Sequence, residues 1–254
     1  MRYLPFILLF SFYLSSCQNE ELMLTEEFEG TTLNPELWNI VTGDGCPTIC
    51  GWGNNERQTY TDNNHRLEDG KLIITARKED TLYTSTRINT KGKFEIQYGT
   101  VEIRADIPPG KGLWPAFWML GSNIDQVGWP ACGEIDIMEY VGRNPGEIFT
   151  TLHTTATHGD NASSKTTPFE NIEKGFHDYK MSWTSEAIRF YVDNTPVYTY
   201  APEVKNKDTW PFDQPFYLLI NLAVGGTFAG QEIDPHSLPA EYKIEHIKVW
   251  KNTP

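Results

Sequence analysis

The stretch Gly133-Glu134-Ile135-Asp136-Ile137-Met138-Glu139 sets three carboxyl groups among three apolar side chains. On a regular strand, successive side chains alternate faces, so Glu134 and Asp136 share one face and Glu139 takes the other. One extra residue, a β-bulge, returns Glu139 to the face of the first two and leaves Ile135, Ile137 and Met138 for a core. Four strand steps separate the outer Cα atoms by about 13 Å, so the two long glutamates must lean together across a concave sheet. Three carboxyls in one cleft cannot all ionise comfortably: mutual repulsion raises one pKa, and that group becomes a proton donor near neutral pH. A proton donor beside an ionised carboxylate is the pair that glycoside hydrolysis uses. The plain alternative is a solvated acidic strand face.

The elements that must position these acids read as strands. Val101, Ile103, Ala105 and Ile107 alternate with Glu102, Arg104 and Asp106, and Ile188, Phe190 and Val192 repeat the pattern. Leu72-Ile73-Ile74 and Phe216 to Val224 are near-continuous apolar runs, as expected of strands buried on both faces. Turn signals stand between them, among them Glu68-Asp69-Gly70, Pro108-Pro109-Gly110 and Asp193-Asn194. No window sustains a helical period over three turns. Short strands at this spacing predict an antiparallel sandwich or jelly roll.

Composition narrows the function classes. A net charge of −13 excludes a polyanionic partner such as nucleic acid, which needs a basic face. No glycine-rich loop followed by Lys is present to cradle phosphate. Many of the 8 Trp and 12 Tyr suit a core, and a surplus of Trp also suits the C–H faces of sugar rings.

The N-terminus is set apart from the fold. A basic start at Met1 and Arg2 precedes the apolar run Leu4 to Leu14, which has signal-peptide length and is short for a bilayer span. It ends in Leu14-Ser15-Ser16-Cys17, which resembles a bacterial lipobox. Cleavage would precede Cys17, and Cys17 would carry the lipid; an ordinary signal peptide is the alternative. Residues 1–17 are thus a lipoprotein signal, 18–24 a tether and 25–254 the catalytic domain. The acidic Gln18-Asn19-Glu20-Glu21 resembles a tag that sends some lipoproteins to the cell surface. The expectation is an exported monomer, anchored by lipid to the bacterial outer membrane. Cys46 and Cys50 could close a small disulfide loop, stay as thiols, or join a metal site, although no His/Cys cluster completes a zinc tetrad. Cys132 would remain an unpaired, buried thiol.

Glu134-Ile135-Asp136-Ile137-Met138-Glu139 resembles the bulged active-site signature of glycoside hydrolase family 16, in its laminarinase-like branch. Three other stretches match in the family's order: Gly51-Trp52-Gly53-Asn54-Asn55-Glu56, Tyr83 to Ile88 with Gly92-Lys93-Phe94 and Tyr98-Gly99, and Gly112 to Leu120. The likeness runs from about Phe28 to Trp250. It implies an all-β, concanavalin-like jelly roll of two antiparallel curved sheets and an endo-acting, retaining mechanism on laminarin-like β-1,3-glucan. By that likeness, Glu134 would be the nucleophile and Glu139 the acid/base, with Asp136 holding the proton distribution between them. Asn54, Arg87 and Asn221 would meet the sugar, Trp114, Trp118 and Trp129 would stack on it, and His153 would sit near the acid/base. Read bare, Trp118 also suits a core, His153 a structural histidine and Arg87 an ion pair. Catalysis would need no cofactor. A structural calcium is implied on the convex side, held by backbone oxygens of Glu27 and Gly70 and by Glu245, where the family usually has Asp. Phe228 stands where the family usually has Trp. Mixed-linkage β-glucan or a marine galactan would be cut by the same mechanism, and a lectin-like glycan-binding protein is the non-enzyme alternative, against which the intact acids weigh.

Overall fold

The computed structural model describes residues 20–252. Two sheets stack face to face. The first has eight strands and runs Ser163–Pro168, Glu147–His153, Glu134–Glu139, Leu113–Gly121, Phe216–Val224, Arg87–Asn89 and Asn39–Val41, with Glu95–Ile96 also paired to Phe216–Val224. The second has ten and runs Thr195–Tyr200, Ile188–Val192, His177–Trp183, Gly99–Asp106, Ala240–Asn252, Leu72–Glu79, Leu82–Ser85 and Gln58–Tyr60. His65–Leu67 and Glu20–Glu26 complete it on Leu72–Glu79 and Ala240–Asn252. All pairings are antiparallel except that of Gln58–Tyr60 with Leu82–Ser85. The only α-helix among the described residues is the single turn Ile124–Val127. None is long and apolar enough to cross a membrane.

The alternating strands place one face in the core, as the period of two demands. Val101, Ile103 and Ala105 are fully buried from one sheet and meet Phe117, Met119 and Ile135 from the other. The long apolar run Phe216–Val224 is buried throughout. Leu218, Ile220 and Leu222 face the main core, while Tyr217 and Leu219 pack with Leu120 and Cys132 in a second, smaller cluster. Cys132 is free and buried, and Cys46 and Cys50 are joined with S–S 2.04 Å.

Residues 20–24, read as tether, belong to the sheet. Glu20–Glu26 pairs with Ala240–Asn252 from Glu20 opposite Asn252 to Glu26 opposite Ile247. The last strand is longer than its neighbour Leu72–Glu79, which covers it only from Ala240 to Ile244. The edge left beyond Ile244 is taken by the N-terminal segment, which satisfies backbone groups that an open edge would leave unpaired. Cys17 lies outside the described residues.

Candidate active site

The strand Glu134–Glu139 carries the bulge. On one side Phe117 opposes Met138 and Trp118 opposes Asp136, leaving Ile137 without a partner. On the other side Asp136 opposes Thr151 and Glu139 opposes Phe149. The extra residue rotates the strand so that Ile135, Ile137 and Met138 all enter the core while Glu134, Asp136 and Glu139 all line one cleft. The cleft holds about 620 Å³, and its floor is the outer face of the eight-stranded sheet. Trp114, Ala116, Trp118 and Leu120 reach it from alternate positions of the neighbouring strand.

Each acid has a different set of neighbours. Glu139 accepts the indole N–H of Trp114 on Oε1 at 3.0 Å and the Thr151 hydroxyl on Oε2 at 3.3 Å. Glu134 accepts the indole N–H of Trp129 on Oε2 at 2.8 Å, and its Oε1 lies 3.6 Å from Nε2 of His153. Asp136, nearly enclosed, turns its Oδ2 toward the same Nε2 at 3.4 Å and has no other partner for that oxygen. The Gly159 backbone N–H donates to Nδ1 of His153 at 3.2 Å, which leaves the ring proton on Nε2, facing both carboxyls.

Burial raises all three carboxyls by disfavouring the charged form. Glu134 is pushed up to about 8, first by burial and then by the neighbouring Asp136, against the pull of His153, the Trp129 bond and Arg87. Asp136 rises by burial as well, eased by its hydrogen bond with Glu134. Glu139 is driven well above the carboxylic-acid range by burial, then by Asp136 and Glu134, with His153 and the Trp114 bond opposing. The site therefore retains protons at neutral pH, which a general acid requires. Ligand atoms of Glu134, Asp136 and His153 lie within 4.8 Å of one another, but the Gly159 N–H on Nδ1 leaves Nε2 protonated and closed to a metal.

His153 stands beside Glu134 and Asp136, because strand pairing sets it opposite Glu134, and its charge also acts on Glu139. Asn54 lines the cleft with its amide N–H donated to Glu56 at 3.2 Å. Arg87 stacks on two indoles, its Cζ 4.6 Å from the Trp52 ring centre and 4.9 Å from that of Trp118. Trp118 lines the cleft and donates its indole N–H to Asn221 at 2.8 Å, and buried Asn221 sits opposite both Ala116 and Arg87. Trp129 is half exposed over the rings of His153 and His158. Phe228 packs edge-on against Trp114 and Phe149.

Sequence reasoning assigned no role to Trp52, Glu56 and Thr151, all of which line the cleft. Trp52 and Glu56 fall inside the matched segment Gly51–Glu56; Thr151 has no sequence signal, since only strand register brings it to Glu139.

The residues named for calcium lie away from the cleft. The Glu27 carbonyl approaches Gly70, 3.8 Å from where a Cβ on that glycine would stand. Glu245, however, gives its Oε2 to the Arg104 guanidinium at 2.7 Å. Arg104 also pairs with Asp178 at 3.2 Å, so an ion at this place would have to share the Glu245 carboxylate with the guanidinium.

A two-sheet β-jelly roll with paired carboxyl groups at the floor of an open cleft defines a glycoside hydrolase. Residues 53–248 match the profile of glycosyl hydrolases family 16, and the chain belongs to that family. Its fold is similar to that of a laminarinase from Flavobacterium sp. UMI-01, with 56% identity and a TM-score of 0.89 over 91% of this chain and 100% of that one. The β-glucanase of Rhodothermus marinus is 40% identical over 91% of this chain and 85% of its own length. The glucan endo-1,3-β-glucosidase of Cryptopygus antarcticus is 37% identical over 89% of this chain and 90% of its own length.

Proposed function

We propose that this cleft hydrolyses internal β-1,3-glucosidic bonds of laminarin-like glucans with retention of anomeric configuration. Glu134 attacks the anomeric carbon and Glu139 protonates the leaving oxygen, then deprotonates the water that releases the glycosyl-enzyme. The observation that carries the reading is the bulge, which puts both glutamates on one face with different partners. Glu134, held by the Trp129 indole and faced by the His153 N–H, has donors that favour its ionised form. Glu139 is raised by burial and feels the charges of both other acids, which favours its protonated form. Asp136 lies between them and couples their charges.

The lining spans six neighbouring strands, from Arg87 to Ser164. At about 4.8 Å per strand this is a trough of about 24 Å, a shape suited to a chain bound along its interior. The related laminarinase and endo-1,3-β-glucosidase support β-1,3-glucan as the substrate. Among the described residues, Arg87 and Arg143 are the only Lys or Arg side chains lining the trough, which disfavours a sulfated galactan. Parallel digestion of laminarin, lichenan, agarose and carrageenan tests the substrate. Fastest release of oligosaccharides from laminarin is expected; faster attack on lichenan would move the assignment to mixed-linkage glucan. Proton NMR early in digestion should show the β-anomer first, and the α-anomer first would refute retention.

The proposal extends to location: export, cleavage before Cys17 and lipid attachment there, by the lipobox-like Leu14 to Cys17. The strand beginning at Glu20 would then hold the catalytic domain close to the membrane surface.

A further inference from the structure

One end of the cleft is built by a loop closed by the Cys46–Cys50 disulfide. Ile49, inside the bridged turn, and Trp52, just beyond it, both line the cleft. The loop is bound tightly to itself. The Ile49 N–H donates to the Gly45 carbonyl and the Gly51 N–H to the Asp44 carbonyl, both at 2.8 Å. The Asp44 carboxylate accepts the Cys46 N–H at 3.0 Å. A side chain on Gly45 would strike the Ile49 carbonyl oxygen.

Beyond the bridge the backbone turns left-handed twice in succession, at Gly51 (φ 60°) and at Trp52 (φ 54°). Glycine adopts this freely, but a bulky aromatic does so only when its surroundings hold it there. The left-handed turn carries the Trp52 indole onto the Arg87 guanidinium, 4.6 Å away. Arg87 makes no ion pair among the described residues, and its Nε is buried without a hydrogen-bond partner. Two ring faces therefore pack directly on this cation, and one of the two rings stands on the disulfide loop.

We infer that the Cys46–Cys50 disulfide is a positioning element for substrate binding: it keeps Trp52 left-handed against Arg87, and its loss weakens glucan binding without touching the chemical step. The inference rests on the cleft being the glucan site. The three acids lie on a different strand, with no bond to the loop, so kcat should be spared.

The test uses the full chain in four forms: wild type, Cys46→Ser with Cys50→Ser, Trp52→Ala, and all three changes together. The serine pair should raise KM on laminarin about fivefold to tenfold, the scale of one cation–π contact that is only partly desolvated, with kcat within about twofold. Trp52→Ala should raise KM at least as much, and the triple variant no further, because one contact is lost in each case. A water-soluble phosphine should reproduce the rise in wild type. It takes up the oxygen of one water as the phosphine oxide, and each sulfur gains one of that water's hydrogens. Reoxidation should reverse the rise, and the serine pair should not respond to the phosphine. Circular dichroism at the assay temperature confirms a folded enzyme; if the serine pair is unfolded there, the phosphine-treated wild type supplies the same comparison. An unchanged KM, a fall in kcat alone, or effects that multiply in the triple variant would overturn the inference. If wild type prefers another glucan, KM is read on that polymer; a wild type inert on every glucan would sink the functional reading as well.

Discussion

Replacing Glu134 should stabilise the protein, and the size of the gain should depend on pH. Glu134 ionises near 4.5 in the unfolded chain and near 8 in the folded one. Between those values the folded state binds the extra proton, so stability falls as pH rises through the window and levels off above it. At about 1.4 kcal/mol for each pH unit of the gap, the ionised group costs the fold at most about 5 kcal/mol. The side chain keeps 17% exposure and a Trp129 indole at 2.8 Å, so about half that ceiling, roughly 2–3 kcal/mol, is expected. Glu134→Gln has the same shape, stays neutral at every pH and can still accept the Trp129 N–H. For a chain of this size 1 kcal/mol moves Tm by about 2–4 °C, so the variant should melt about 5–10 °C above wild type at pH 8.5. The gain should shrink toward zero by pH 4.5. Calorimetric melts of both proteins across that range are the assay. Parallel Tm curves, or a variant less stable at high pH, would show that burial does not penalise the Glu134 charge.

The remaining tests probe the other groups. Glu139→Ala should lose about two to four orders of magnitude on laminarin but much less on an activated aryl β-glucoside, and azide should restore turnover by attacking the glycosyl-enzyme without a base. Because Asp136 pushes Glu139 up, Asp136→Asn should move the alkaline limb of the pH–rate profile to lower pH while cutting kcat; an unmoved limb would separate the two groups. Excess chelator should leave Tm unchanged, since Arg104 occupies the Glu245 carboxylate; a lowered Tm with calcium found in the purified protein would show that this ion pair opens. Cys17→Ala should release the protein from the membrane fraction, and retention there would make the apolar segment itself the anchor.

The alternation in Val101, Ile103 and Ala105 was legible because one face of that strand meets the core, and a period of two records a single buried face. The run Phe216–Val224 was legible for the opposite reason, being covered on both sides. The bulge could be anticipated because Ile137 and Met138 are adjacent apolar residues between acids, a pattern that no regular strand satisfies. What stayed hidden depends on partners distant in sequence. Residues 20–24 looked like a tether because their partner is the far end of the chain, Val249 to Asn252. The close approach of His153 to Glu134 and Asp136 stayed hidden because it is chosen by register with Glu134. The pairing of Glu245 with Arg104 stayed hidden because the two lie on different strands.

The bulge at Ile137 also constrains how the hairpin can assemble. A one-residue slip between Leu113–Gly121 and Glu134–Glu139 exchanges inner and outer faces. Where the strand is irregular, that slip would drive Glu139 or Asp136 among Phe117, Met119 and Leu152 while turning apolar side chains out to water. An unpaired carboxyl in such a place is costly. The acids of the cleft thus act, before any substrate arrives, as a register lock on the sheet. Deleting Ile137 should therefore do more than silence the enzyme: it should leave the chain without a well-defined pairing for the strand at the centre of its cleft.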